Sequence, residues 1–148
     1  MAAPHYTPSG KPVQGSNGSS KDLRDEFALV ETGIQVMNAL PMTVNFEDIN
    51  TAGSAYIVVP WSCKITKIYA VNALANTTNP TVLTPKIASV AVTGGGLTFG
   101  ATDAEETVVS STPTAANTVA VGGSIEIATD GGGGSVMPAV ITLLLERT

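Results

Sequence analysis

The sequence predicts a mainly β protein: an antiparallel β-sandwich of jelly-roll type, preceded by an extended N-terminal arm and one short α-helix. Beyond residue 41, short apolar runs alternate with period two and are separated by Gly, Pro and Asn turns. No helical pattern lies between these runs, which argues against an α/β fold. We therefore divide the chain into an arm at 1–18, a helix at 19–41 and a β-sandwich domain at 42–148.

The arm is rich in residues that prevent regular structure. It carries Pro4, Pro8 and Pro12 together with several glycines, and its apolar residues follow no period. Such a segment buries too little apolar surface to fold by itself. We expect it to be extended and to lie along a neighbouring subunit or another protein.

The helix is marked by its start and by one apolar stripe. Ser19 and Asp22 have the spacing of a capping box, and Pro41 is expected to end the helix. Gly33 in its interior costs about 1 kcal/mol relative to Ala, so the helix needs a packing partner. The stripe residues are spaced 4, 3, 4 and 3 apart: Leu23, Phe27, Val30, Ile34 and Met37.

Two partners for this stripe remain open. It could pack on the same helix of other subunits, around a symmetry axis, or on a β-domain. The pattern covers little more than two heptads, which is short of the three or four that identify a coiled coil. The sequence does not choose between these partners.

The β-domain is predicted to contain seven or eight strands. Pro85 should place its strand at a sheet edge or a bulge, and Gly94–Gly96 and Gly131–Gly134 should form hairpin turns. The predicted strands are Thr43–Phe46, Ser54–Pro60, Lys64–Leu74, Thr81–Val92, Leu97–Gly100, Thr107–Ser110, Ser124–Thr129 and Val136–Glu146.

The closing strand is apolar on both faces. Ile141, Leu143 and Leu145 alternate with Val140, Thr142 and Leu144, whereas an antiparallel sandwich strand normally shows one face to water. Its outer face must therefore be covered, either by the helix or by the same strand of a neighbour. We accordingly assign Leu143 and Leu145, with the helix stripe, to an oligomer or helix-packing interface.

Composition favours an assembly. Charged residues make up 13% of the chain and hydrophobic residues 43%, whereas an ordinary soluble protein has about 25% charged residues. The surplus apolar surface suits subunit contacts. The net charge is −5 without a block of Lys or Arg, so nucleic acid is not an expected partner. No apolar run reaches the roughly 18 residues of a membrane span, so a membrane is not expected either.

The residues needed for catalysis or metal binding are scarce. His5 is the single histidine and lies in the arm, so a Ser/His/Asp triad in the folded domain is not expected, and a zinc site lacks ligands. Cys63 is the single cysteine and should be buried in a strand. The acidic residues Asp103, Glu105, Glu106 and Asp130 fit solvated loops, and Trp61 and Tyr69 fit the core. We predict no enzymatic activity, no cofactor and no metal site.

Two segments carry a resemblance to a known class of protein. Residues 54–99, SAYIVVPWSCKITKIYAVNALANTTNPTVLTPKIASVAVTGGGLTF, and residues 112–147, TPTAANTVAVGGSIEIATDGGGGSVMPAVITLLLER, resemble the β-sandwich of small virion proteins of tailed bacteriophages, of the capsid decoration (cement) or head-fibre type. The segment GKPVQGSNGSSKDLRDEFALVETGI is similar to the N-terminal helical segments of such proteins. The resemblance implies a homotrimer on the outer surface of the phage capsid.

We therefore expect a structural virion protein that binds the major capsid protein and stabilises the head. In this hypothesis the arm anchors the protein through residues that share its polar, extended character: Pro4, His5, Tyr6, Pro8, Pro12 and Val13. The alternative is a head-fibre or tail-adaptor protein that binds a glycan or protein of the host surface. No catalytic residue follows from the resemblance.

Overall fold

A computed structural model describes residues 20–37 and 39–148, with side chains at 24–33 and 39–148. The chain divides into two compact units at the boundary between Ala39 and Leu40, and each is described by itself. The arm, Ser19 and the side chains of Leu23, Ile34 and Met37 lie outside the described residues. Within the described part, no helix is long and apolar enough to cross a membrane.

Helix α1 spans Ser20–Met37. The helix ends at Met37, four residues before Pro41, where the sequence predicted its end. The hydroxyl of Thr32 donates a hydrogen bond to the carbonyl oxygen of Ala28 at 2.8 Å, one turn earlier. Phe27 and Val30 of the predicted stripe are exposed, at 70% and 37%.

Residues 39–148 form two antiparallel sheets. Their strands are β1 Ala39–Phe46, β2 Gly53–Val58, β3 Cys63–Asn72, β4 Thr81–Ile87, β5 Val90–Ala91, β6 Leu97–Phe99, β7 Val108–Ser111, β8 Thr118–Val119, β9 Ser124–Thr129 and β10 Ala139–Arg147. Sheet A has the order β1-β10-β3-β7, with β8 also on β3. Sheet B has the order β2-β9-β4-β5, with β6 also on β4.

This arrangement confirms the predicted sandwich and its jelly-roll character. Strands β5 and β6 both pair with β4, and strands β7 and β8 both pair with β3. Counting each pair once leaves eight strand positions: β5 with β6 is position 5, β7 with β8 is position 6, β9 is position 7 and β10 is position 8. The order is then 1-8-3-6 in sheet A and 2-7-4-5 in sheet B. This is the two-sheet, double Greek-key order of a jelly roll.

The core lies between the two sheets and is built from both. Fully buried side chains include Ile65, Ile68 and Ile141 from sheet A and Ile125 and Phe99 from sheet B. Cys63 is also buried, as predicted, and burial raises the pKa of its thiol. Each buried Ile or Phe contributes roughly 1.5–3 kcal/mol relative to an exposed position.

Strand β1 starts earlier than predicted and contains Pro41. Its Met42, Val44 and Phe46 pack against the core, while Pro41 lies on the exposed side of the alternation. Because β1 is an edge strand of sheet A, the missing N–H of the proline costs no ladder bond with a further strand. The residue predicted to end the helix is therefore part of the first strand.

Pro85 lies inside sheet B, which corrects the expectation of an edge strand, and it lies where the pairing of β4 with β5 and β6 is interrupted. Strand β4 has β9 on one side and β6 followed by β5 on the other. The carbonyl of Pro85 accepts a hydrogen bond from Val92 at 2.9 Å, on the β5 side. Its absent N–H points to that same side, between the β6 and β5 ladders, so the pairing with β9 stays intact.

The two glycine-rich segments are not hairpin turns. Gly94–Gly96 links β5 to β6, which share the partner β4, and Gly131–Gly134 links β9 in sheet B to β10 in sheet A. The second segment packs tightly. A Cβ on Gly132 would lie 2.9 Å from the carbonyl oxygen of Pro80 and closer still to Thr81 Oγ1. These glycines therefore allow close loop packing.

Candidate interaction surface

The outer side of sheet A carries an uncovered apolar surface, which we call the open face. It consists of Tyr69, Val71, Val108, Val140 and Thr142, and these side chains line a shallow depression of about 310 Å³. Val108 is 64% exposed, and Tyr69 and Val140 are each 39% exposed. Within residues 40–148 the core lies between the two sheets and leaves these side chains on the outer side of sheet A.

Strand register places the open-face residues in two rows across the sheet. In the first row, Val140 of β10 pairs with Val71 of β3, which pairs with Val108 of β7. In the second, Thr142 pairs with Tyr69, and its hydroxyl lies 3.4 Å from that of Thr43 on β1. A row of valines therefore runs beside a row with one aromatic ring and several hydroxyls.

A cation borders the ring of Tyr69. The ammonium of Lys67 lies 5.7 Å from the ring centroid and donates a hydrogen bond to Thr112 Oγ1 at 3.0 Å. Both interactions hold this side chain at the edge of the open face, because the ring attracts the cation electrostatically.

The outer side of sheet B is different, since it has an ion pair near its centre. Lys86 Nζ lies 3.5 Å from Glu126 Oε1, and Ser54 donates a hydrogen bond to the same oxygen at 2.7 Å. Tyr56 and Val58 are exposed beside this group. Burying a charge pair costs desolvation energy, so the open face of sheet A is the better candidate for a protein contact.

Loops at one end of the sandwich are fixed by their own polar contacts. The carboxylate of Asp48 accepts hydrogen bonds from Asn50 N–H and Met137 N–H, both at 2.9 Å, and from the Thr51 hydroxyl at 2.7 Å. The Met137 bond is the largest cause that lowers the pKa of Asp48. The carboxylate therefore connects the loop after β1 to the loop before β10.

Buried asparagines connect the other loops at this end. Asn76 donates to the carbonyl oxygens of Asn79 at 2.7 Å and Gly100 at 3.0 Å. Asn72 donates to Leu74 and Ala104, each at 2.8 Å. These loops are therefore held in place by side-chain amides.

Two predicted interface residues lie elsewhere. Leu143 and Leu145 are fully buried between the sheets, because the alternation of β10 turns them to the same side as Ile141. They stabilise the domain core and cannot contact another subunit. The residues on the outer side are Val140, Thr142 and Leu144.

Other predicted positions have mixed outcomes. Trp61 is partly buried and packs against the core, which agrees with its core assignment, and the Arg147 guanidinium lies 5.2 Å from the centroid of its ring. Tyr69 is not a core residue, since it lies on the open face. Asp103 accepts a hydrogen bond from Gly100 N–H at 2.7 Å within a turn. Asp130 accepts one from Val82 N–H at 2.8 Å and joins the end of β9 to β4.

The described residues contain no group of three or more His, Cys, Asp or Glu side chains placed to hold a metal ion. The arm residues from Pro4 to Val13 that were assigned to anchoring lie outside the described part of the chain. Of the helix stripe, the structure describes the side chains of Phe27 and Val30. The contacts of α1 with any partner stay a prediction.

Comparisons with known proteins add little. A scan against protein-family models gives no match, and a search of curated proteins gives none either. Among solved structures, the chain is similar to CsCBM6-3 from Clostridium stercorarium, whose structure contains cellobiose. The identity is 14% and the TM-score 0.43, over 75% of this chain and 83% of that one. A likeness of this size carries no information on ligands or activity.

Proposed function

We propose that this chain is a structural virion protein of the capsid decoration type, which binds the major capsid protein on the outer surface of a phage head and stabilises the shell. The observation that carries the proposal is the open face: a domain with a complete core keeps Val108 and Val140 exposed. Surfaces of this kind mark protein contacts. The low content of charge supports the same role.

In this proposal the sandwich and the N-terminal segment have different tasks. The sandwich supplies a stable body and a contact between subunits, and the arm with α1 attaches the protein to the capsid. A head presents many equivalent sites, so weak contacts of several linked subunits combine into stable attachment. The homotrimer expected from the resemblance belongs to this proposal.

Binding to purified heads that lack the protein tests the proposal. Deleting residues 2–18 should abolish binding. A variant whose arm has the same composition in shuffled order shows whether binding depends on the sequence of the arm or only on its length. The fluorescence of Trp61, the single tryptophan, reports whether the sandwich is folded. Unchanged occupancy of heads by the folded deletion variant would contradict the proposal.

A second candidate rests on Tyr69. An exposed aromatic ring beside the hydroxyl of Thr142 is the type of surface that stacks on a sugar and hydrogen-bonds to it, which suits a head-fibre or tail-adaptor protein. A glycan array with the full chain tests it. Specific binding that Tyr69→Ala removes and Tyr56→Ala preserves would favour this role, because Tyr56 is exposed at 65% on the other sheet.

A further inference from the structure

The charged side chains around sheet A are separated between its two ends. Lys64 and Lys67 lie in the first half of β3, and Arg147 ends β10 beside Cys63 at the same end. Glu146 is opposite Lys64 in the ladder, and the Arg147 guanidinium lies over the ring of Trp61, so the outer side of this end carries two positive charges and one negative charge. The other basic residue after Ala39, Lys86, is paired on sheet B.

The opposite end is acidic. Glu47 follows the last residue of β1, and Glu105 and Glu106 precede β7. The N–H of Glu106 donates to the carbonyl of Asn72, the last residue of β3, at 2.9 Å. Glu47, Glu105 and Glu106 are exposed, whereas Asp48, Asp103 and Asp130 at this end accept hydrogen bonds within the loops.

Within one molecule the two ends are too far apart to neutralise each other. Lys64 and Asn72 are eight residues apart on one strand, which is about 26 Å at roughly 3.3 Å per residue. Charges in water are screened over about 8 Å at physiological salt. The open face, whose residues carry no charge, lies between the two ends.

A second copy of the same surface supplies the complement of this pattern. When two open faces meet with their β3 strands antiparallel, the basic end of each copy meets the acidic end of the other, and the valine rows are buried together. A parallel arrangement would place like charges opposite each other, which is destabilising. A surface that is complementary to itself after a half-turn is the condition for a two-fold interface.

We infer that the open face is a two-fold self-association surface, in which the Lys64 and Lys67 end of one copy contacts the Glu105 and Glu106 end of its partner. This inference goes beyond the proposed function and does not require the capsid role, because a two-fold contact pairs two copies and is distinct from the contact that would join a three-fold trimer. It assigns the partner of the open face as a second copy of this chain, with an apolar centre that favours burial and charged ends that set the orientation.

Charge reversal in the full chain tests the inference. We would compare K64E/K67E with E105K/E106K by sedimentation velocity and native mass spectrometry. Each variant alone should associate at least roughly tenfold more weakly than the wild type, since both ends of each variant then carry the same sign. An equimolar mixture should form complexes that contain both variants in equal numbers, with an affinity close to that of the wild type.

A matched control reverses the ion pair of sheet B. The variant K86E/E126K changes the same residue types away from the open face and should associate like the wild type. Wild-type association of either open-face variant alone, or failure of the mixture to form complexes in equal numbers, would overturn the inference. Trp61 fluorescence checks the folding of each variant.

A valine pair provides a test if a charge variant does not fold. Val108 on the open face and Val90 on β5 of sheet B are exposed to similar extents, at 64% and 58%. Val108→Lys should weaken association at least roughly tenfold, and Val90→Lys should not; equal effects would overturn the inference. Head binding by the wild-type chain tests the proposed function, whereas the charge and valine variants test only self-association, so the two results can be told apart.

Discussion

The hydroxyl of Thr66 donates a hydrogen bond to the carbonyl oxygen of Leu144 at 3.1 Å, at the point where the pairing of β3 with β10 shifts by one residue. Leu145 pairs with Ile65 and Leu144 with Lys67, so Thr66 is the extra residue of a β-bulge. Ile65 and Ile68 are both fully buried, although strict alternation would place them on opposite faces. The bulge therefore turns Tyr69 and Val71 outward.

Deleting Thr66 should destabilise the sandwich severely. Without the extra residue, either Cys63 and Ile65 or Ile68 and Ala70 must turn to the outside, and each exposed Ile costs roughly 1.5–3 kcal/mol. We expect the free energy of unfolding to fall by about 3 kcal/mol or more, measured by urea unfolding with Trp61 fluorescence. Thr66→Val keeps the residue count and should cost about 1 kcal/mol for the lost hydrogen bond. Similar losses in both variants would show that the bulge does not set the alternation.

This bulge also explains which part of the fold the sequence could predict. Strands such as Ser124–Thr129 were predicted with their observed bounds, because strict alternation of Ile125 and Ile127 with polar residues is a local signal. Tyr69 lies within a strand pattern, and strict alternation from Cys63 and Ile65 would turn it inward, whereas the bulge at Thr66 turns it outward. A bulge has no local sequence signature here, so the outward turn of β3 required the structure.

Long-range packing set the other limits of the prediction. The closing strand was recognised as apolar on both faces, but which face met the other sheet depended on its pairing with β3, so Leu143 and Leu145 were placed on the wrong side. The role of the loop glycines also depends on packing between distant segments of the chain. Gly132 looked like a turn residue, whereas its role is to let the loop approach Pro80 and Thr81.

The stability of the protein should depend on pH through Asp48. The pKa of this carboxyl is lowered in the folded state, so its contribution is present above the unfolded-state pKa and is lost as the pH falls through the lower, folded-state pKa. Asp48→Asn should show a shallower loss of stability than the wild type between about pH 5 and pH 2, in urea unfolding at a series of pH values. At pH 7 the substitution should cost about 1 kcal/mol, for hydrogen bonds that lose a charged acceptor.

Glu31→Gln is the matched control for this pH dependence, because Glu31 lies on α1 and not at either charged end of sheet A. It removes one exposed carboxylate for which the described residues show no hydrogen bond. In this control, the change of the unfolding free energy with pH should be close to that of the wild type. The change in Asp48→Asn should differ more from the wild type. A slope for Asp48→Asn that equals the wild-type slope would contradict the role of Asp48.

Gly132 should tolerate no side chain. A Cβ at this position would approach Thr81 Oγ1 and the carbonyl oxygens of Pro80 and Asn79, at 2.9 Å and 3.0 Å for the two carbonyls. Overpacking of this kind costs about 1–3 kcal/mol, and we expect Gly132→Ala to lower the free energy of unfolding by that amount. At Gly53 the nearest atom to an added Cβ is Thr51 O at 3.9 Å, so Gly53→Ala should be close to neutral. A neutral Gly132→Ala would show that the loop can move away.

The helix stripe can be tested separately from the sandwich. Phe27 and Leu29 are both exposed on α1, at 70% and 49%, but Phe27 belongs to the stripe and Leu29 does not. If the stripe joins subunits, Phe27→Asp should lower the mass of the assembly in native mass spectrometry, and Leu29→Asp should leave it unchanged. The unfolding free energy of the sandwich should stay within about 0.5 kcal/mol in both, because the core is built from Leu40–Thr148. Equal masses for the two variants would contradict a stripe between subunits, and loss of the native Trp61 fluorescence in Phe27→Asp would mean that the helix supports the β-domain.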